Sequence, residues 1–263
     1  MFELQGFWQA FLLSTGAGLA TAVGSLIALF SKRENKRFLS FSLGFAAGVM
    51  ILVSMADLLP QARAHLVQQM GARGADGFAL AFVCIGLVCA FGIERVLPQA
   101  DNGLVRGTSA SDGTAALARV GAVTAVAVTL HNFPEGMATF MAGYADIHIG
   151  LPVAVSIALH NIPEGIAVSA PLYYGTGSRW KAFYLSALSG LSEPLGALLA
   201  FTVLRPFMSP LLLGVLFAWV AGIMLYLSFA GLIPSAQAGG RTGFAVAGIF
   251  AGLIFMQFAM IFL

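Results

Sequence analysis

The chain has 263 residues, of which 59% are hydrophobic and only 9% are charged, and its formal net charge at pH 7 is +2. Soluble domains carry roughly 25% charged residues, so this composition excludes an ordinary soluble protein and indicates one that crosses a lipid bilayer. No motif or basic stretch typical of nucleic-acid binding is present. No polar stretch is long enough to form a core of its own, so we expect a single membrane domain.

Eight apolar segments are predicted to be transmembrane helices, because each has the length of about 20 residues that a helix needs to cross a bilayer. The first has no basic segment before it and no cleavage site after it, so we expect it to be a span and not a removed signal. The longer predicted loops are 60–77 and 98–119. The eight predicted helices lie near 8–30, 38–59, 78–97, 120–142, 150–172, 182–204, 209–233 and 243–263.

Lysine and arginine predict the orientation of these helices. The connections on one side of the membrane contain ten of them, and the connections on the other side contain three. Basic residues accumulate in cytoplasmic loops, so we expect both termini to lie outside the cytoplasm. The ten are Lys32, Arg33, Lys36, Arg37, Arg95, Arg106, Arg119, Arg179, Lys181 and Arg241, and the three are Arg63, Arg73 and Arg205.

A six-residue motif occurs twice, as His131-Asn-Phe-Pro-Glu-Gly136 in the fourth predicted helix and His160-Asn-Ile-Pro-Glu-Gly165 in the fifth. Each copy places an imidazole and a carboxylate four residues apart, on one face of a helix. Ionisable side chains in the middle of a membrane are costly and indicate a function. Two nitrogen and two oxygen donors suit a divalent transition metal, so His131, Glu135, His160 and Glu164 are candidate metal ligands.

Three further polar residues are predicted at the same depth. Glu193 lies in the middle of the sixth predicted helix, where no lysine or arginine is available to neutralise it, so a metal ion or protons must do so. Asn132 and Asn161 follow the two histidines. Each could supply an oxygen ligand or could form a hydrogen bond between helices, and the sequence leaves both roles open.

A second internal repeat relates the second and seventh predicted helices. Residues 45–62 align with residues 219–236 at an offset of 174, and eight of the 18 positions are identical. The two motif copies are themselves related by an offset of 29. In the predicted orientation the two helices of each repeat run in opposite directions. Inverted repeats of this kind are typical of transporters.

At these motifs the chain resembles the ZIP family of divalent metal transporters, and especially its bacterial zinc transporters. The resemblance implies an all-α membrane fold with eight helices in a 3+2+3 arrangement. It also implies a two-metal site, in which His131, Glu135, His160 and Glu164 form one half. The other half would be Asn132, Asn161 and Glu193, with Glu135 and Glu164 bridging. Met50 matches a methionine that the family carries near this site, although a core methionine is an equally good interpretation.

We therefore expect a carrier that moves divalent metal into the cytoplasm, with zinc as the leading substrate and iron, manganese or cobalt still open. It would lie in the cytoplasmic membrane of a bacterium, without a prosthetic group, and whether it forms a homodimer stays open. A channel with the same ligands is one alternative. An intramembrane metallohydrolase is another, but the sequence lacks the HExxH motif and has asparagine where the general base would stand.

Overall fold

The computed structural model describes residues 2–30, 32, 35–96, 112–204, 209–238 and 240–262. All regular secondary structure in these ranges is helical. Three π-helical segments, Val53–Leu58, Ala200–Leu204 and Leu227–Leu232, continue α2, α7 and α8. The helices are α1 (Phe2–Leu29), α2 (Lys36–Leu52), α3 (Leu59–Val96), α4 (Asp112–Ala145), α5 (Ile147–Thr176), α6 (Arg179–Gly190), α7 (Ser192–Leu199), α8 (Pro210–Tyr226), α9 (Ile233–Gln237) and α10 (Thr242–Phe262).

Seven helical stretches within the described ranges are long and apolar enough to cross a membrane. Their outer surface carries many exposed large apolar side chains, among them Trp8, Leu12, Phe250 and Phe258. A surface this apolar is suited to lipid, and helices satisfy their backbone hydrogen bonds internally, as lipid requires. The chain is therefore a multi-pass membrane protein, as its composition predicts.

The second of these stretches, 36–96, is too long for one crossing, and it turns back on itself at Gly71. Gly71 has φ 70° and ψ 171°, a backbone conformation that interrupts the helix. Arg63 Nε lies 2.6 Å from Asp76 Oδ1, whereas residues 13 positions apart in a straight helix would be about 20 Å apart. The predicted loop 60–77 is therefore helical on both sides of a sharp turn.

The repeat between the second and seventh predicted helices has a structural counterpart. The π-helical segments Val53–Leu58 and Leu227–Leu232 are related by the same offset of 174 as the two sequences. Ser54 donates a hydrogen bond to the Met50 carbonyl at 2.7 Å, and Ser228 does so to the Met224 carbonyl at 2.8 Å. The similarity of the two sequences thus reflects the same local backbone geometry.

Two predicted boundaries differ from the structure. The predicted loop 98–119 is helical from residue 112 onward, and the rest of it lies outside the described residues. The predicted helix 182–204 is divided at Leu191 into α6 and α7. Pro194 has no N–H to bond the Gly190 carbonyl, which weakens the helix at this point.

The helix α5 holds one copy of the motif and has well-defined ends. Asp146 accepts a hydrogen bond from the His148 backbone N–H at 2.8 Å and caps its first turn. Gly177 closes its last turn with φ 74° and donates to the Tyr173 carbonyl at 2.8 Å. These caps fix the length of α5 and place the His160 motif in its middle.

Candidate metal site

The two motifs meet at the centre of the helix bundle, where α4 and α5 pack against each other. Seven polar side chains converge there, and each is at most 2% exposed. No lysine or arginine is buried anywhere in the described ranges, so no cationic side chain of that kind offsets the three carboxylates. The seven residues are His131, Asn132, Glu135, His160, Asn161, Glu164 and Glu193.

The histidines and glutamates of the two motifs are paired crosswise. His131 Nε2 lies 3.0 Å from Glu164 Oε2, and His160 Nε2 lies 3.4 Å from Glu135 Oε2. Each imidazole therefore faces the carboxylate of the other motif. The sequence places a histidine and a glutamate on one face of each helix, but only the packing of α4 on α5 decides which of them touch.

The Asn132 side chain contacts both members of the His131–Glu164 pair. The end of its amide that faces the pair is 3.0 Å from His131 Nε2 and 3.3 Å from Glu164 Oε2. With the amide nitrogen in this position, Asn132 donates to both neighbours. With the oxygen there, His131 Nε2 must carry a proton or a cation must lie between the three atoms, because otherwise three acceptors converge on one point.

Asn161 joins the second motif to two other helices. Its Nδ2 donates to the Ala17 carbonyl of α1 at 2.9 Å and also to Glu193 Oε1 of α7. Glu193 is thereby tied to the motif, as its predicted depth suggested. The contact with α1 could not be read from the sequence, because a backbone carbonyl as acceptor leaves no signal in the residue type.

Several acceptor atoms in the cluster lack a hydrogen-bond partner among the described residues. In native proteins most buried polar atoms have a hydrogen-bond partner, so a cluster of buried oxygens without one needs an explanation. Buried carboxylate oxygens without donors favour the binding of a cation or of protons. The oxygens concerned are Glu135 Oε1, Glu164 Oε1, Glu193 Oε2 and Asn161 Oδ1.

The glycine of each motif lets a neighbouring helix come close to the cluster. A Cβ on Gly136 would collide with the backbone of Glu193, and a Cβ on Gly165 would collide with the Thr21 carbonyl. The last residue of the motif therefore brings α7 against α4 and α1 against α5. This close packing holds the Glu193 side chain beside the two histidine–glutamate pairs.

One cavity reaches the cluster from the end of the bundle that holds the turn at Gly71. It has a volume of about 240 Å³, and its walls include Glu135 and His160 at one end and Asp57 and Gln61 at the other. Asp57 Oδ1 accepts a hydrogen bond from Gln61 Nε2 at 2.6 Å. The cavity thus leads from an acidic group to one of the crossed pairs.

The structure places Met50 in the apolar core, where its side chain is fully buried. Its repeat counterpart Met224 is buried in the same core. This position agrees with the interpretation of Met50 as a core methionine. A role for Met50 beside a metal stays a prediction. In the described ranges no three His, Cys, Asp or Glu side chains are close enough together to hold a metal ion as they stand. The cluster is therefore a set of crossed pairs and not a closed cage.

A bundle of apolar helices around buried imidazoles and carboxylates defines the class of this protein as a polytopic membrane protein with a candidate cation site. A family model described as ZIP Zinc transporter matches residues 106–260. Proteins named Zinc transporter ZupT are similar over nearly the whole chain. The one from Chlorobium chlorochromatii is 46% identical over 258 residues, with 96% of each chain covered. Those from Streptococcus mutans and Nitratidesulfovibrio vulgaris are 42% and 46% identical, with 98% and 96% of each chain covered.

The chain belongs to the ZIP family. The resemblance inferred from the two motifs is thereby confirmed. Members of this family are transporters and not enzymes, so the metallohydrolase alternative is rejected.

Proposed function

We propose that this protein carries divalent metal into the cytoplasm through the seven-residue cluster, with zinc as the leading substrate and iron, manganese and cobalt as further candidates. The observation that carries the proposal is the pair of crossed contacts, His131–Glu164 and His160–Glu135, among carboxylate oxygens without donors. Imidazole and carboxylate together favour zinc and its neighbours among the transition metals. The names of the curated relatives favour zinc among these.

The separation of the donor atoms supports coordination of zinc at the first pair. Zinc bonds of about 2.0–2.1 Å in a tetrahedron place neighbouring ligand atoms about 3.3 Å apart. His131 Nε2 and Glu164 Oε2 are 3.0 Å apart. A small outward movement would let these two atoms hold one ion between them.

We further propose a binuclear arrangement. One metal would take His131, Glu135, His160 and Glu164, and the second would take Asn132, Asn161 and Glu193, with the two glutamates of the motifs bridging. The contact of Asn161 with Glu193 supports the second group. The unpaired second oxygens of Glu135 and Glu164 support the bridging role, because each has an acceptor left for another ion.

Eight crossings with both termini outside are the topology that we propose. The turn at Gly71 divides the stretch 36–96 into two segments, each longer than the roughly 20 residues that a crossing needs. Basic segments gather at one end of the bundle. Tyr174 donates to the carbonyls of Lys32 and Asn35 at 3.0 Å, and Arg119 donates to the Glu94 carbonyl at 2.8 Å. The positive-inside rule assigns this end to the cytoplasm.

The 3+2+3 arrangement with inverted halves is supported by matching contacts in α2 and α8. Gly48 of α2 packs on the Ile249 carbonyl of α10, and its repeat counterpart Gly222 of α8 packs on the Val83 carbonyl of α3. Each member of the repeat therefore holds a partner helix at the equivalent glycine.

The helices that flank α4 and α5 show the same relationship. Gly24 of α1 packs on the Ile162 carbonyl, and Gly196 of α7 packs on the Phe133 carbonyl, which stands at the same position of the other motif. Inverted halves around a central site favour alternating access over a continuous pore. The cavity that reaches Glu135 and His160 lies at the Asp57 end of the bundle, and access from that end agrees with a carrier.

The proposal is tested with purified protein in liposomes that enclose a fluorescent zinc indicator. We expect saturable zinc influx in the wild type and loss of influx in the variant His160→Ala/Glu164→Ala. The variant His148→Ala is the matched control, because this exposed histidine lies in the same helix but outside the cluster. Influx that does not saturate would indicate the channel instead. Equal influx in the double variant and the wild type would contradict the site.

A further inference from the structure

A second, smaller cavity lies between α3, α4 and α8, near the basic end of the bundle. Its volume is about 50 Å³. All of its lining residues are described, and none of the seven cluster residues is among them. Those that matter here are Glu94, Arg119, Val123, Thr124, Tyr226 and Gly231.

The small cavity is the repeat counterpart of the large one. Val123 and Thr124 line the small cavity, and the residues 29 positions later, Pro152 and Val153, line the large one. The same holds for the other repeat, in which Gly231 of the small cavity corresponds to Asp57 of the large one at the offset of 174. Two independent offsets therefore relate the two cavities.

The two cavities lie at opposite ends of the α4–α5 pair. These helices are antiparallel, because Gly121 packs on Leu172 at one end and Gly143 packs on Gly150 at the other. The walls of the small cavity come from the first of these ends, and those of the large cavity from the second. The two cavities therefore lie at opposite ends of the bundle.

The small cavity is bordered by a group of contacts centred on Glu94. Tyr226 Oη donates to Glu94 Oε2 at 2.5 Å, which ties α8 to α3. Arg119 Nη2 donates to the Glu94 carbonyl at 2.8 Å, which ties α4 to the same point. All three side chains are partly buried. These three residues are called the Glu94 clamp below.

We propose that the small cavity is the exit route for the transported divalent cation and that the Glu94 clamp holds it shut while the large cavity is open. This inference rests on the function proposed above, because it takes metal transport through the central cluster as given. In an inverted-repeat carrier the two sides of the site open in turn. The structure then has the wider cavity at the Asp57 end and the narrower one at the clamp. Breaking the clamp would shift the population toward the state with the small cavity open.

The test uses two repeat-related reporters of cavity opening, Thr124→Cys in the small cavity and Val153→Cys in the large one. Both are placed in a background in which the free cysteines Cys84 and Cys89 are replaced by alanine. Each reporter is combined with Tyr226→Phe, which removes only the donating hydroxyl. The rate of reaction with a membrane-impermeant maleimide is then measured from each face of the membrane, without added metal.

We expect Tyr226→Phe to raise the labelling rate of Thr124→Cys from the cytoplasmic face at least about fivefold, because a hydrogen bond to a carboxylate is lost. The labelling of Val153→Cys from the opposite face should fall. Glu94→Ala removes the acceptor of the same hydrogen bond and should act in the same direction. Tyr184→Phe is the matched control, because this tyrosine lies on the exposed side of α6, away from both cavities.

Unchanged labelling of Thr124→Cys in both clamp variants would overturn the proposal, as would labelling of both reporters from the same face only. Labelling requires no metal movement, so it separates this proposal from the function. If the clamp variants open the small cavity but liposomes take up no zinc, the gating role of the clamp is supported and zinc transport is contradicted. If zinc enters but neither clamp variant changes labelling, zinc transport is supported and the gating role of the clamp is contradicted.

Discussion

His131 and Glu164 belong to different copies of the motif, yet their side chains face each other, with Nε2 and Oε2 3.0 Å apart. The same crossing joins His160 to Glu135 at 3.4 Å. Neither motif therefore forms a site by itself, and a metal held by either pair would join α4 to α5. Any movement of one helix relative to the other changes the distance between the donor atoms of both pairs.

The crossed pairing predicts a specific energetic coupling in the metal-free protein. In a double-mutant cycle with His131→Gln and Glu164→Gln, the coupling energy should be about 1–3 kcal/mol, because the two side chains touch in a buried place. The cycle of His131→Gln with Glu135→Gln, within one motif, should give a smaller value. Thermal unfolding in detergent with a chelator measures both. A larger coupling within the motif than across it would contradict the crossed arrangement.

Zinc uptake should weaken as the external pH falls. Metal binding requires neutral imidazoles and ionised carboxylates, so protons compete with the metal for the cluster. We expect the apparent KM for zinc to rise as pH decreases, by up to about tenfold per pH unit for each proton displaced. Raising the zinc concentration should restore the rate at moderately acidic pH. A lower maximal rate with unchanged KM would instead indicate that acid impairs the protein and not the binding of metal.

Gly136→Ala should be destabilising and should impair transport. The new Cβ would collide with the backbone of Glu193, so α7 must move away from α4 at a cost of about 1–3 kcal/mol. The matched control is Gly92→Ala, since nothing lies within 4 Å of a Cβ at that position. It should leave stability unchanged or slightly increased. The melting temperature and the zinc influx of both variants are measured. Equal values for Gly136→Ala and Gly92→Ala would contradict the close packing of α7 on α4.

Asp57→Asn should reduce zinc influx mainly at low zinc concentration. The carboxylate lines the large cavity that leads to His160 and Glu135, so it raises the local concentration of cations there. We expect a higher KM with a nearly unchanged maximal rate, and the difference from wild type should shrink at high salt because the attraction is screened. Gln61→Ala, which removes the donor to Asp57 but keeps its charge, is the control. A fall in the maximal rate alone would argue against a role in attracting metal.

The candidate site could be located from sequence to a large extent because its chemistry is carried by rare residue types in an apolar chain. Histidine and glutamate four residues apart, repeated in two hydrophobic segments, indicate the candidate donors and the family without any coordinates. The partners of Asn161 could not be predicted in the same way. One is the Ala17 carbonyl, and backbone acceptors are identical at every residue.

The turn at Gly71 shows a similar limit in the fold. The polar residues of 60–77 predict a loop, but the chain is helical on both sides of one glycine, and Arg63 and Asp76 pair across the turn. Composition distinguishes apolar spans from polar connections. It does not distinguish a polar loop from two polar helix ends that contact each other.

The sequence by itself determined that this chain is a membrane protein of the ZIP family, which buried residues are the candidate donors, and where its internal repeats lie. These features follow from hydrophobicity and from the spacing of a few residue types, both of which are local properties of the chain. The tertiary structure decided which histidine faces which glutamate, that α1 contacts the cluster through a carbonyl, and that two repeat-related cavities differ in volume. These depend on how helices distant in sequence pack together, and glycines at the contacts set that packing through their backbone.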